Sequence, residues 1–265
     1  MNVNWTRIWV VIEKEWAELR RNKMIIWTMI LVPLLIVAMI VGTDYMLVHF
    51  EAQGRDTDAD EMPIPAQLKH LPTFEAMLVQ MNEQFMFYLF MIPMMLPVYI
   101  AAFSIIGEKQ TKTLEPLLAT PITTWELLAG KSVAATVPAV VVSWLSYALT
   151  LLGLWPIVPP TVFVYAARAV WMLSMLLLSP LLALLSVLSG VIVSSRVNDP
   201  RTAQQVTGLF VVPIIGLSLV ALAGWIFVSE QMVIYAAMVT ALLDLVVLRF
   251  AVKIFRRETI LTRWK

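Results

Sequence analysis

Six apolar segments, each long enough to cross a lipid bilayer, limit the folds that this chain can adopt. A spanning helix needs about 20 mainly apolar residues, because the hydrocarbon core is about 30 Å thick and each residue adds about 1.5 Å. The strands of a membrane barrel would alternate apolar and polar residues, whereas these segments are continuously apolar. The sequence therefore predicts an all-α integral membrane protein with six transmembrane helices. Their predicted ranges are 24–43, 84–106, 132–154, 172–195, 205–228 and 232–250.

The composition excludes several classes of protein. With 60% apolar and only 14% charged residues, a chain of this length cannot be a soluble domain. A net charge of +1 gives no sign of a nucleic-acid partner. The chain has no cysteine, and its two histidines, His49 and His70, lack the spacing of metal ligands, so we expect no metal site.

Lysine and arginine residues are concentrated on one side of the predicted spans, in residues 1–23, 107–131, 196–201 and the basic tail 251–265. The opposite side carries the acidic loop 44–83. Because basic flanks stay in the cytoplasm, both termini are predicted to be cytoplasmic in a multi-pass protein of the cell membrane. No cleavable signal peptide is expected, since the first apolar run is longer than the apolar region of a signal peptide and about twenty residues precede it.

The stretch from 161 to 195 is too long for one straight span. We predict that Pro159 and Pro160 start a short helix along the outer interface, followed by the span proper with a bend at Pro180. This division keeps the last two spans in the orientation given by the basic residues. Three residues of the short helix and its end are expected at headgroup level: Tyr165, Arg168 and Trp171.

Residues 1–23 are predicted to form an amphipathic elbow helix before the first span. Apolar residues recur there at spacings of three and four. Tryptophans on one face and mixed charges on the other suit a helix that lies flat at the inner interface, either as an anchor alone or also as a support for a cytoplasmic partner. The apolar positions are Trp5, Ile8, Trp9, Ile12, Trp16 and Leu19.

The connection 107–131 is a long polar run between two apolar spans. Pro116 lies where a first-turn proline is tolerated, and Pro121 ends the resulting short helix. Thr123 and Glu126 form a capping box, so the helix of the third span is predicted to begin well before the bilayer. A capped helix that continues into a span can transmit force, which a flexible linker cannot.

The same connection contains a set of residues with a characteristic spacing: Gly107, Glu108, Lys109, Thr113, Leu114, Glu115, Pro116, Leu117, Leu118, Pro121, Glu126, Gly130 and Lys131. This set resembles the signature loop of type-2 ABC exporter permeases, and the overall topology resembles that family over nearly the whole chain. The resemblance implies a transmembrane subunit that pairs with a second copy or a similar permease and binds two copies of a separate ATPase. ATP and Mg would be bound by that ATPase, so no cofactor and no catalytic residue is expected here.

Gly130, Lys131 and Ser132 look like the end of a phosphate-binding loop. That pattern requires a glycine five residues before Gly130, and Trp125 stands at this position. Lys131 is therefore interpreted as an interfacial cation.

The ATPase is expected to contact the short helix at 113–120 and the polar face of the elbow helix. Glutamates of the loop would pair with arginines of the ATPase, although solvated side chains explain them too. Leu117 and Leu118 would be costly to expose to water, so we expect them to contact either the ATPase or lipid. The predicted contact residues are Glu108, Lys109, Thr113, Leu114, Glu115, Leu117, Leu118 and Glu126.

Polar residues within the spans are candidates for a substrate pathway. Their hydroxyl groups could instead form hydrogen bonds between helices. The acidic residue of the last span could serve transport or pair with a structural partner that the sequence does not identify. The candidates are Tyr88, Tyr99, Ser143, Ser146, Tyr147, Thr150 and Asp244.

Two other functions fit part of the sequence. A secondary transporter would usually carry internal repeats and ion-coupling charges near the midplane, and only Asp244 could supply such a charge. A non-transporting scaffold, or an assembly or maturation subunit coupled to an ATPase, would keep every feature described. Nothing in the sequence selects among lipid, peptide, drug and ion as the substrate.

Overall fold

A computed structural model describes residues 4–54, 64–110, 122–197 and 208–254, together with positions 199, 202 and 205. None of these residues belongs to a strand, so the all-α prediction is confirmed. The first five helices of the described residues are α1 (Trp5–Arg21), α2 (Lys23–Ala52), α3 (Thr73–Leu89), α4 (Met91–Gln110) and α5 (Thr124–Leu154). The next five are α6 (Pro160–Ala166), α7 (Ala169–Leu173), α8 (Ser179–Arg196), α9 (Val212–Leu222) and α10 (Glu230–Ile254).

Five helical segments of the described chain are long and apolar enough to cross a bilayer. They are Lys23–Ala52, Thr73–Glu108, Thr124–Leu154, Pro160–Ser195 and Glu230–Lys253. The fifth predicted span, 205–228, instead corresponds to a 3-10 turn at Leu209–Val211 and the shorter apolar helix α9. α9 ends early because Gly224 adopts a left-handed φ of 72°, and the N–H groups of Gly224 and Trp225 bond the carbonyls of its last turns.

α2 and α3 extend beyond the predicted ends of the first two spans, on the side away from α1. α2 continues to Ala52 rather than ending at residue 43, and α3 begins at Thr73 rather than at residue 84. α3 ends at Leu89, whose carbonyl would pair with the N–H that Pro93 lacks. We call the side of the bundle that carries α1 the amino-terminal side and the opposite side the far side.

A π-helical turn, Ser174–Leu178, lies directly before Pro180, where the sequence predicts a bend. The N–H of Ser179 donates to the carbonyl of Ser174, five residues earlier. In the same pattern the next residue, Pro180, would donate to the carbonyl of Met175, but proline has no N–H. Two side chains donate to that carbonyl instead: the Trp144 indole at 2.8 Å and the Ser179 hydroxyl at 2.7 Å. The missing N–H of Pro180 therefore accounts for the π-helical turn. Trp144 of α5 provides one of the two hydrogen bonds that replace the lost backbone bond.

The short helix predicted at Pro160 is present as α6, and a break at Arg168 separates it from α7. Trp171, which the sequence places at headgroup level, is instead fully buried in the protein. It donates a hydrogen bond to Glu83 at 3.2 Å and packs edge-on against Phe87. The buried carboxylate of Glu83 needs donors, which explains why Trp171 and Arg168 turn inward.

An apolar cluster on the amino-terminal side joins α1, α2, α4, α5 and α8. Val11, Ile25, Leu127 and Val187 are among its buried members. Val252, near the end of α10, packs against the same cluster. α1 and the last described turn of α10 therefore lie on the same side of the bundle.

Candidate functional site

The elbow helix α1 crosses the beginning of α5. The Asn4 side chain caps its start, and Asn22 both ends α1 and caps the start of α2. Ile8 and Ile12 are buried against Ala134 of α5, as the apolar spacing predicts. Two of the predicted apolar positions, Trp5 and Trp9, are 77% and 53% exposed. The face of α1 that is buried against the protein is therefore not the face that carries these two tryptophans.

Glycine at position 130 allows α1 and α5 to approach closely. A Cβ atom added there would lie 2.7 Å from Cβ of Val11 and 3.2 Å from the carbonyl oxygen of Ile8. Backbone and a branched side chain cannot both move aside at that distance. The Gly130 of the loop motif is therefore explained by helix packing rather than by a nucleotide.

The predicted capping box at the start of α5 is confirmed. The Thr123 hydroxyl accepts from the N–H of Glu126 at 3.2 Å, and Glu126 Oε2 accepts from the N–H of Thr123 at 2.8 Å. Glu126 Oε1 also accepts from the N–H of Asn4 at 3.0 Å, and the Arg7 guanidinium lies 3.7 Å from Oε2. Glu126 thus joins the start of α1 to the start of α5 and is itself buried.

Four charged residues meet between α1, α4 and α5 and are here called the ion cluster: Lys14, Glu15, Glu108 and Lys131. Nζ of Lys131 lies 2.6 Å from Oε1 of Glu15 and 3.0 Å from Oε1 of Glu108. Lys14 forms an ion pair with the same Glu108 oxygen and lies 3.4 Å from Glu15. Lys131 also donates to the Ser104 hydroxyl at 2.6 Å. Lys131, Glu15 and Glu108 are buried, so these contacts are shielded from water.

Mutual attraction keeps the α1 members of the ion cluster charged. Burial acts to lower the pKa of Lys14, but the carboxylates of Glu15 and Glu108 raise it above its usual value. Burial acts to raise the pKa of Glu15, but Lys131 and Lys14 lower it below its usual value. Removing one member of such a group leaves a buried charge without its partner.

Two members of the ion cluster, Lys14 and Glu15, are not among the site residues predicted from the sequence. Glu15 does follow Ile8 and Val11 by seven and four positions, so it lies on the buried face of the helix. This spacing is the signal that could have identified it.

Most of the predicted ATPase contacts lie outside the described residues. Glu108 and Glu126 are both buried with partners of their own chain, whereas Lys109 belongs to the last turn of α4 and its side chain is not described. The others are Thr113, Leu114, Glu115, Leu117 and Leu118. A role of these residues in binding an ATPase stays a prediction.

The hydroxyl residues of the third span are buried on one face of α5. Ser143, Ser146 and Thr150 each donate to the carbonyl four residues earlier, at 2.7 to 2.9 Å. Tyr147 instead joins two helices, because its hydroxyl donates to the carbonyl of Ala166 in α6 at 3.1 Å. Of these four hydroxyl groups, only that of Tyr147 forms a hydrogen bond to another helix. The hydroxyl groups of Ser143, Ser146 and Thr150 form their hydrogen bonds within α5.

The remaining pathway candidates lie on three other helices. Tyr88 is half-buried in α3 and accepts from the Gln84 amide at 3.0 Å. Tyr99 is half-buried in α4. Asp244 is buried in α10, and neither carboxylate oxygen has a hydrogen-bond partner among the described residues. A pathway role for these residues also stays a prediction.

One protein family matches this architecture across nearly the whole chain. Its sequence model, described as ABC-2 family transporter protein, matches residues 9–253, which include most of the elbow helix, the ion cluster and all six predicted spans. None of the curated proteins with which the sequence was compared matches it. The extent of the family match, together with the all-α membrane fold, shows that this chain belongs to the ABC-2 family of transporter proteins and is a type-2 ABC permease.

Proposed function

We propose that this permease is the membrane-spanning subunit of an ABC exporter, driven by a separate ATPase that binds residues 107–131. One observation carries the proposal. Glu108 at one end of this connection and Lys131 at the other meet at 3.0 Å, and both contact the elbow helix. The chain between Glu108 and Lys131 therefore begins and ends at one base, which is formed by the contacts of these two residues with the elbow helix.

Such a base suits the transmission of force. α5 runs without interruption from the capping box to Leu154, and its 31 residues correspond to about 46 Å at 1.5 Å per residue. A push on the connection would reach α4, α5 and α1 together, and α2 through the shared cap Asn22. Motion imposed on the loop would therefore move several spans at once.

The distribution of basic residues supports a cytoplasmic position for the loop and both termini in the cell membrane. Membership of the family supports pairing with an ATPase. In this proposal the permease forms a dimer with a second copy or a similar chain, and two ATPase subunits bind ATP and Mg. Asp244 and the tyrosines of α3 and α4 are candidate pathway residues because they are polar, partly or fully buried and within spans.

The proposal is tested by co-purification of the chain with an ATP-binding-cassette subunit from its native membranes. Glu115→Arg, or deletion of 113–120, is expected to abolish ATPase binding without changing membrane insertion. Lys69→Glu is the matched control, because it reverses an exposed charge on the far side. Unchanged pull-down of the ATPase by the loop variants would refute the proposed contact. Stable association with a non-ATPase alone would instead support a scaffold or maturation role.

A further inference from the structure

A partly open cleft lies beside the ion cluster, between the end of α1, the start of α2 and α4. Its cavity volume is about 90 Å³. One part of its lining is polar and the other is apolar. The lining residues are Glu15, Glu18, Leu19, Asn22, Ile25, Ile100, Phe103 and Ser104.

The polar part of the cleft carries an excess of negative charge. Glu18 lies 3.1 Å from Lys14 at the edge of the ion cluster, and its side chain is half exposed. With Glu18 included, three carboxylates surround the ammonium groups of Lys14 and Lys131. These groups together leave one negative charge uncompensated.

One acceptor of this group also lacks a donor. Glu108 is buried, and its Oε2 atom has no hydrogen-bond partner among the described residues. Carboxylate oxygens of Glu15, Glu18 and Glu108 lie within 4.8 Å of one another. Glu15 and Glu18 line the cleft, whereas Glu108 does not, so the carboxylates of Glu15 and Glu18 are the groups that a positively charged ligand with N–H donors would bond.

The chemistry of the cleft argues against a metal ion. Lys14 and Lys131 already contact the carboxylates, and a divalent cation would have to approach two ammonium groups. A singly charged ammonium with several donors requires less displacement. It can bond carboxylate oxygens at the edge while the lysines keep their contacts.

The apolar part of the cleft indicates where such a ligand comes from. Ile25 lies in the first turn of α2, and Ile100 and Phe103 lie in the last two turns of the predicted span 84–106, so the cleft is near the inner ends of the first two predicted spans. A lipid at this level presents its headgroup to the polar residues and its upper acyl chain to the apolar ones. A soluble amine would gain nothing from the apolar wall.

We propose that this cleft binds the headgroup of a membrane lipid that carries a primary ammonium, as phosphatidylethanolamine does. A primary ammonium offers three N–H donors, like a lysine side chain, whereas the quaternary ammonium of phosphatidylcholine offers none. The net negative charge of phosphatidylglycerol would be repelled by the carboxylates. The inference requires only that the chain is embedded in a bilayer and does not depend on transport.

The test uses the full chain reconstituted in vesicles with equal amounts of phosphatidylethanolamine, phosphatidylcholine and phosphatidylglycerol. After gentle detergent extraction, the retained lipid is measured by mass spectrometry. We expect phosphatidylethanolamine to be enriched about threefold over the other two, the size of effect given by one partly exposed ion pair. Glu18→Gln should remove the enrichment, and Glu18→Lys should shift it toward phosphatidylglycerol.

Glu18 is half exposed, so neither substitution disturbs the packing of α1. Glu13→Gln is the matched control, because Glu13 is exposed on α1 and is not among the residues of the cleft. It should keep the enrichment of the unaltered chain. Preferential retention of phosphatidylglycerol or phosphatidylcholine, or equal enrichment in Glu18→Gln, would overturn the proposal. Co-purification of an ATPase with the same variants from native membranes tests the proposed function independently.

Discussion

Nζ of Lys131 lies 2.6 Å from the carboxylate of Glu15, although 116 positions separate the two residues along the chain. Glu15 belongs to the elbow helix, and Lys131 lies in the second turn of α5. Glu108 reaches the same ammonium at 3.0 Å from the end of α4. The contact thus fastens the elbow helix to both ends of the connection 107–131.

Replacing Lys131 with methionine should destabilise the protein strongly. Glu15 and Glu108 would remain buried without this cation, and loss of one partner of a buried ion pair costs about 3–5 kcal/mol. The free energy of unfolding in mixed micelles, followed by tryptophan fluorescence, measures the effect. Lys131→Met combined with Glu15→Gln should recover part of the loss, because one uncompensated carboxylate is removed.

Lys69→Met serves as the control for this series, since Lys69 is exposed on the far side. It should change the free energy of unfolding by less than about 0.5 kcal/mol. If Lys131→Met were no less stable than Lys69→Met, the ion cluster would not contribute to stability.

The contribution of Glu15 to stability should depend on pH in one direction. Its pKa is lowered in the folded protein, because Lys131 and Lys14 outweigh the effect of burial. Its contribution is therefore present above the usual value of 4.5 and is lost as the pH falls through the lower folded value. The pKa of Lys14 is raised, so its contribution persists throughout the neutral range and is lost only above 10.5.

Unfolding free energies of the unaltered chain and Glu15→Gln, measured from neutral pH down through 4.5, test this sign. The difference between the two proteins should be constant near neutral pH and shrink in acid. A difference that grows as the pH falls would show that the folded pKa of Glu15 is raised instead.

Local features of this fold follow from the sequence because neighbouring residues determine them. The capping box of Thr123 and Glu126 and the irregular turn before Pro180 each depend on a few consecutive positions. The length of α2 could not be predicted in the same way. The length of an apolar segment indicates only how much of a helix lies in the bilayer. The part of α2 beyond residue 43 is also stabilised by contacts within the protein, such as the hydrogen bond that Asn82 donates to Asp44 at 3.0 Å.

The candidate site was predicted only in part for a similar reason. Periodicity showed that α1 is amphipathic, but tryptophan suits both a protein core and a membrane surface, so the buried face could not be chosen from composition. The sequence does not identify Glu15, because its ion-pair partner Lys131 is distant along the chain. A buried charge is recognised from its partners, which only the fold brings together.

Substituting Gly130 with alanine should loosen the elbow helix. The added Cβ would lie 2.7 Å from Val11 and 3.2 Å from the Ile8 carbonyl, so α1 has to move away from α5. Overpacking of this kind costs about 1–3 kcal/mol. Limited trypsin digestion in vesicles should show faster cleavage at Arg20 and Arg21.

Gly216→Ala is the control for this substitution, because a Cβ added at Gly216 of α9 meets no atom within 4 Å. It should leave the trypsin pattern unchanged. Equal cleavage rates in the two alanine variants would show that Gly130 is not needed for the close approach of α1.

Replacing Arg168 with methionine should destabilise the far side of the bundle, because Glu83 would remain buried without its ion-pair partner. We expect a loss of about 3 kcal/mol in the free energy of unfolding. Glu83→Gln should cost less, since the amide oxygen can still accept from the Trp171 indole, and Arg168 keeps partial exposure and its contact with the Phe227 ring. The double variant should resemble Glu83→Gln alone, because Arg168 then has no carboxylate to neutralise. If Arg168→Met proved as mild as Glu83→Gln, the pair would be screened by water, and the far side would have to be stabilised by its apolar contacts alone.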